Sequence, residues 1–119
     1  MNTAALSSVL FKNGQACGAC FEIKCADSPQ WCKLGQSSLF VTATDHCPPN
    51  PSLPNDNGGW CNVPREHFDV AKPVFSQLAE YKAGIIPIHY RRSYDFSISY
   101  HLAILYQLAG QLGCLGRVS

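Results

Sequence analysis

Charge is what this chain has least of. Only 14% of its 119 residues are Asp, Glu, Lys or Arg, and the formal net charge is +1. That excludes a nucleic-acid binder held by bulk charge, and the 46% hydrophobic content excludes a disordered tail. A near-neutral balance gives no reason to expect an anionic partner. Internal repeats and low-complexity linkers are missing too. Residues 1–11 lack the basic start of a secretory leader, and Ser7 and Ser8 interrupt their apolar stretch. No membrane span is expected either. Residues 96–115 carry no Asp, Glu, Lys or Arg, but Ser97, Ser99, His101, Gln107 and Gln111 break a run that would need about 20 predominantly apolar residues. The length admits one domain.

Cysteine, by contrast, is abundant. Seven in 119 residues is the usage of a small secreted domain that staples a marginal core with disulfides. The odd number leaves at least one outside any internal pairing. Cysteines that point to secretion, in a chain without a leader, are what a piece of a longer protein would show. The spacing Cys17-x2-Cys20-x4-Cys25-x6-Cys32 holds one tight pair where structural zinc usually shows two, so no metal and no cofactor are expected. No βαβ unit surrounds Cys17 and Cys20, which speaks against a thioredoxin-type role. Cys25 and Cys32 bracket a short loop with Asp27, Pro29 and Trp31. Cys47 and Cys61 bracket a Pro/Asn/Gly loop. Neither loop can bury a core of its own, and closing one of this size is worth about 3 kcal/mol in the chain-entropy model.

Periodicity predicts mostly strands with two short helices. Residues 2–11 read as a helix, with Leu6, Val9 and Leu10 on one face and Gly14 just past its end. Residues 20–24 alternate as a half-buried strand, and 39–44 are β-branched and apolar. Residues 47–64 form a loop long enough to be functional or stapled. Residues 73–82 read as a second helix, with Pro73 in its first turn and Gly84 at its end. Residues 85–91 read as a strand. Residues 101–112 read as a helix.

Two carboxylates stand out. Asp45 follows a strand, and Asp69 lies between a tight loop and a helix. Such places often mount chemistry. The plainer readings are a turn residue for Asp45 and a helix cap for Asp69. Trp31, Trp60, Tyr81, Tyr90 and Phe68 have rings that can stack on sugars, although the core is the simpler place for Phe68, Phe75 and Tyr81. Trp60, in a Gly/Pro/Asn loop, is the best candidate for exposure. His46, His67 and His89 show no metal-ligand spacing.

Taken in order, several segments resemble one family. They are Asn2-Thr-Ala-Ala-Leu-Ser7, Cys17-Gly-Ala-Cys-Phe-Glu-Ile-Lys-Cys25, Val41-Thr-Ala-Thr-Asp-His-Cys-Pro-Pro-Asn50, Gly58-Gly-Trp-Cys-Asn62, His67-Phe-Asp69, Pro73-Val-Phe75 and Tyr81-Lys-Ala-Gly-Ile85. Together they look like the first domain of plant α-expansins over residues 1–92. The resemblance implies a mainly β fold, a six-stranded double-psi β-barrel similar to family-45 endoglucanases. It implies a secreted, monomeric protein of the plant cell wall that binds cellulose and xyloglucan and loosens their contacts without hydrolysis. Asp69 matches the general acid of the glycosidases. The second carboxylate an inverting enzyme requires has no counterpart, and Asp45 matches a variable polar position rather than that base. Asp69, Asp45, His67 and Trp60 are the expected polysaccharide-groove residues.

The resemblance also implies pairs Cys25–Cys32 and Cys47–Cys61. It leaves Cys17 and Cys20 without partners, because the family's Gly-Ala-Cys-Gly-Tyr and Val-Pro-Cys segments have no counterpart here. Residues 93–119 match nothing in the family and form a separate tail, read as helical at 101–112. The barrel is therefore expected to be incomplete, with unpaired strand edges that invite aggregation.

Overall fold

A computed structural model describes residues 2–26, 29–33, 35, 38–93, 101–107 and 112–113. Its strands are β1 (Thr3–Ser7), β2 (Cys20–Cys25), β3 (Leu39–Cys47), β4 (His67–Val70), β5 (Ile85–Arg92), β6 (His101–Gln107) and β7 (Leu112–Gly113). Among the described residues there are two α-helices, α1 (Ser8–Phe11) and α2 (Lys72–Leu78), and two short 3-10 turns, Lys12–Gly14 and Tyr81–Ala83. The strands form one sheet in the order β1-β4-β6-β5-β2-β3-β7, and β1 also pairs with β3. That extra pairing closes six strands into a ring. The β1–β3 and β4–β6 pairs are parallel, and the others around the ring are antiparallel.

Alternation along the strands fills the barrel. Ala4 and Leu6, Phe21 and Ile23, Val41 and Ala43, Phe68 and Val70, Ile86 and Ile88, and Ala103 and Leu105 all belong to one core cluster. Phe21 meets Phe68 and Tyr90 there edge-on and Phe68 meets Tyr90 at a tilt, with centroids 5.2–6.1 Å apart. Val74, Phe75 and Leu78 of α2 join the same core.

Two sequence readings are overturned, both by pairing partners that local spacing does not show. Residues 3–7 carry helical spacing but become β1, because β3 and β4 supply backbone partners on both sides. Only Ser8–Phe11 stays helical, and it stops at Lys12 and Asn13, both left-handed. Residues 101–107 likewise form a strand instead of the start of a helix. This is β6, which sits between β4 and β5, so the stretch beyond residue 92 contributes to the ring. Unpaired strand edges were expected, and β6 pairs the edges of β4 and β5 that face it.

The second predicted helix ends early. α2 stops at Leu78, where Lys33 N–H donates to the Leu78 carbonyl and Glu80 N–H to the Trp31 carbonyl. The Cys25–Cys32 disulfide holds that neighbouring loop in place. Among the described residues no helix is long and apolar enough to cross a membrane.

Candidate functional site

The site lies on the outside of the barrel, around β4. Phe68 and Val70 point into the core, so His67 and Asp69 point out, yet β4 is buried on both faces. His67 Nε2 lies 2.7 Å from Asp69 Oδ1, with side-chain exposures of 0% and 1%. Ser7 sets the strand from beside it: its hydroxyl donates to the Arg65 carbonyl (2.8 Å) and accepts from the His67 N–H (3.1 Å).

A bulge brings Asp45 to the same face. Ala4 pairs with Ala43 but Ala5 pairs with Asp45, so Thr44 is the extra residue. A one-residue slip reverses which side chains face inward. Upstream, Val41 and Ala43 face the core. Downstream, Asp45 and Cys47 face out, and Cys47 joins Ala5 and Cys61 in a small second cluster. Ala5 pairs with Asp45 on one side and with Asp69 on the other. The two carboxylates thus flank one small residue, two strand spacings or about 10 Å apart along the backbone. Asp45 is half-exposed and takes a hydrogen bond from the Thr44 hydroxyl at 3.3 Å.

The loop over residues 48–66 covers Asp69. Its staple is the Cys47–Cys61 disulfide, and Cys61 Sγ lies 4.0 Å from Asp69 Oδ2. A disulfide sulfur has no proton, so this is packing rather than hydrogen bonding. Asn62 is the loop's hub. Its Oδ1 accepts from Asn50 N–H (2.6 Å), and its Nδ2 donates to the Leu53 carbonyl (3.2 Å) and Asn55 Oδ1 (3.0 Å). Gly59 lets the chain pass that hub, since a Cβ there would fall 2.7 Å from the Pro54 carbonyl and 2.8 Å from that of Leu53. Arg65 donates to the Asn55 carbonyl and places its guanidinium 4.9 Å from the centre of the Trp60 ring. Trp60 is half-exposed, and Leu53 and Val63 beside it in sequence are exposed.

The structure therefore brings His67, Asp69 and Asp45 onto one face and puts Trp60 in its cover. Asp69 is a strand residue, not a helix cap. Phe68 and Phe75 are core residues as read, but Tyr81 is 48% exposed, with the Lys72 ammonium 4.0 Å over its ring. His46 accompanies the site: Ser8 Oγ is 2.9 Å from its Nε2, Phe11 stacks on it, and burial lowers its pKa. Sequence reasoning missed Ser7, Asn62 and Arg65. The signal for Asn62 was its place in a Gly-Gly-Trp-Cys-Asn run, and that for Ser7 its place at the end of Asn2-Thr-Ala-Ala-Leu-Ser7.

Both expected disulfides are present, Cys25–Cys32 and Cys47–Cys61. Among the described residues Cys20 is a free thiol. Cys17 is disulfide-bonded, which corrects the expectation that it is left over. Its partner lies outside the described residues.

A closed six-stranded ring with a stapled loop over an outward His–Asp pair defines a double-psi barrel protein. The family model described as "Lytic transglycolase", a double-psi β-barrel (DPBB) family, matches residues 3–90, and the chain belongs to that family. Within it the sequence is of α-expansin type. It is 61% identical to Expansin-A32 of Oryza sativa subsp. japonica over 92 residues, which cover 77% of this chain and 34% of that protein. It is 57% identical to Expansin-A17 of the same rice over 76% of this chain and 31% of that protein. It is 53% identical to Expansin-A24 of Arabidopsis thaliana over 77% of this chain and 28% of that protein. The chain spans about a third of the length of these curated relatives. No solved structure matches it significantly.

Proposed function

We propose that this chain is the groove-bearing part of a secreted plant protein that loosens cell walls by disturbing non-covalent contacts between cellulose and matrix glucans. The observation that carries this is the 61% identity to an expansin across the segment that builds the His67–Asp69 face. Residues 1–92 carry the expansin-like sequence in this reading, and β6, from beyond residue 92, supplies the strand that closes their barrel. Asp45, Trp60 and Arg65, all half-exposed, make first contact with a glucan: a carboxylate for hydroxyls, and an indole backed by a guanidinium for a sugar face. Asp69 is the polar centre, held by His67. A sugar reaches it directly only when the Cys47–Cys61 cover shifts, because Asp69 is 2% exposed.

The missing second carboxylate supports a non-hydrolytic reading, since an inverting glycosidase pairs its general acid with a base. The test is creep of isolated plant walls, run beside reducing-end release from cellulose and xyloglucan. Creep without new reducing ends, lost in Asp69→Asn and reduced in Trp60→Ala, is expected. Release of reducing ends by the native chain would instead establish an endoglucanase. Binding to chitin but not cellulose would establish a barwin-like defence module.

A further inference from the structure

The Asp69 face holds more potential metal ligands than glucan binding uses. The sulfurs of Cys47 and Cys61 and a carboxylate oxygen of Asp69 lie within 4.8 Å of one another, and all three residues are buried. His67 Nε2 adjoins the same carboxylate at 2.7 Å. While the sulfurs are bonded to each other they carry neither proton nor negative charge, so the oxidised cluster has only one anionic ligand to offer.

We propose that opening the Cys47–Cys61 disulfide converts this cluster into a binding site for a divalent cation of the Zn2+ class. Cys47, Cys61 and Asp69 are the ligands, and His67 orients the carboxylate. The redox step balances with a phosphine reductant: the S–S bond breaks, two thiols form, and phosphine with one water becomes the phosphine oxide. Each thiol then releases one proton to solvent as its sulfur bonds the cation.

The disulfide is not all that places these ligands. Cys47 and Asp69 sit on paired strands, fixed by Ser7 and Ala5 of β1. Cys61 is held next to Asn62, whose side chain bonds Asn50, Leu53 and Asn55. With the bond open, strand pairing and the Asn62 hydrogen bonds still hold the backbone that carries the two sulfurs. Two thiolates and one carboxylate select Zn2+, Co2+ or Cd2+ over Mg2+ and Ca2+, which take oxygen ligands. The orienting His67 supplies the outer hydrogen bond that such carboxylates usually have. The sequence hides the site because Cys47 and Cys61 are 14 residues apart and Asp69 follows 8 later, with no tight ligand pair.

The experiment is a Co2+ titration of the full chain, oxidised and phosphine-reduced, followed by absorption and far-UV circular dichroism. The reduced chain should develop thiolate-to-cobalt charge-transfer and tetrahedral d–d bands that Zn2+ erases, and the oxidised chain should not. Asp69→Asn should weaken Co2+ binding by about 10-fold or more, and Cys47→Ser should abolish the bands. Three results overturn the proposal: equal bands in the oxidised chain; bands unchanged in Cys47→Ser or Asp69→Asn, which would place the metal on other cysteines; or a reduced chain whose dichroism collapses and is not restored by Zn2+. None of these outcomes depends on wall creep or glucan binding.

Discussion

At the scale of single residues, burial decides which side chains matter. Asp69 and His67 satisfy each other in a place closed to water. Removing the acceptor in Asp69→Ala leaves a buried imidazole short of a partner, a loss of about 1–3 kcal/mol. Urea denaturation should show a lower midpoint with an unchanged slope. Gly59→Ala is expected to cost about 1–3 kcal/mol as well, since its methyl group meets two backbone carbonyls that cannot swing away. The same assay tests it. His46 gives a pH dependence of defined sign. Its folded-state pKa is lowered by burial, so its contribution is full above the unfolded value of 6.5 and declines as pH falls below it. Melting temperature should drop on acidification through that region, and His46→Gln should flatten the drop. Tyr90 acts at the other end. Burial and the neighbouring Glu66 raise its pKa, so its contribution is full below 10 and declines as pH rises past that value.

Elements here are short and owe their form to their neighbours. β4 has four residues, yet both of its faces are buried and both of its edges are paired. β1 is similar, and its small Ala5 lets two carboxylate-bearing strands approach from either side. The covering loop has no regular structure, so its shape rests on the Asn62 hub and the Cys47–Cys61 staple. Asn62→Ala removes three hydrogen bonds at once. It should raise protease cleavage within residues 48–66 and leave the circular dichroism of the barrel intact. Cleavage no faster than in the native chain would show that the disulfide alone shapes the loop.

For the molecule as a whole, ring closure is the decisive feature. β6 joins β4 to β5, and its Ala103 and Leu105 are buried in the core. A chain ending at residue 92 loses that strand and exposes two edges whose N–H and C=O groups need partners. It should melt without a sharp transition and elute as aggregates, whereas the full chain should melt cooperatively. The substitution Leu105→Ala tests the same closure more gently, at about 2–5 kcal/mol. Alkylation followed by mass mapping should find Cys20 modified and Cys17, Cys25, Cys32, Cys47 and Cys61 protected.

Much of this was legible in the chain. Alternation marked β2, β-branched and apolar content marked the first part of β3, and Pro73 marked the start of α2, because each signal is carried by adjacent residues. Resemblance named the fold and both mapped disulfides. Other features depend on residues far apart. Residues 3–7 and 101–107 have patterns that suit a helix in isolation, and they became strands because the ring offered hydrogen-bond partners on both edges. Asp69 looked like a cap from sequence, and burial under Cys61 made it half of a closed pair. Asp45 points out only because Thr44 is the extra residue of a bulge, and that can be seen only against the register of β1. Local sequence determined where chain segments start, stop and staple. The tertiary structure alone decided which face each carboxylate takes, because facing is set by strand register, and register is a relation between residues some 40 positions apart.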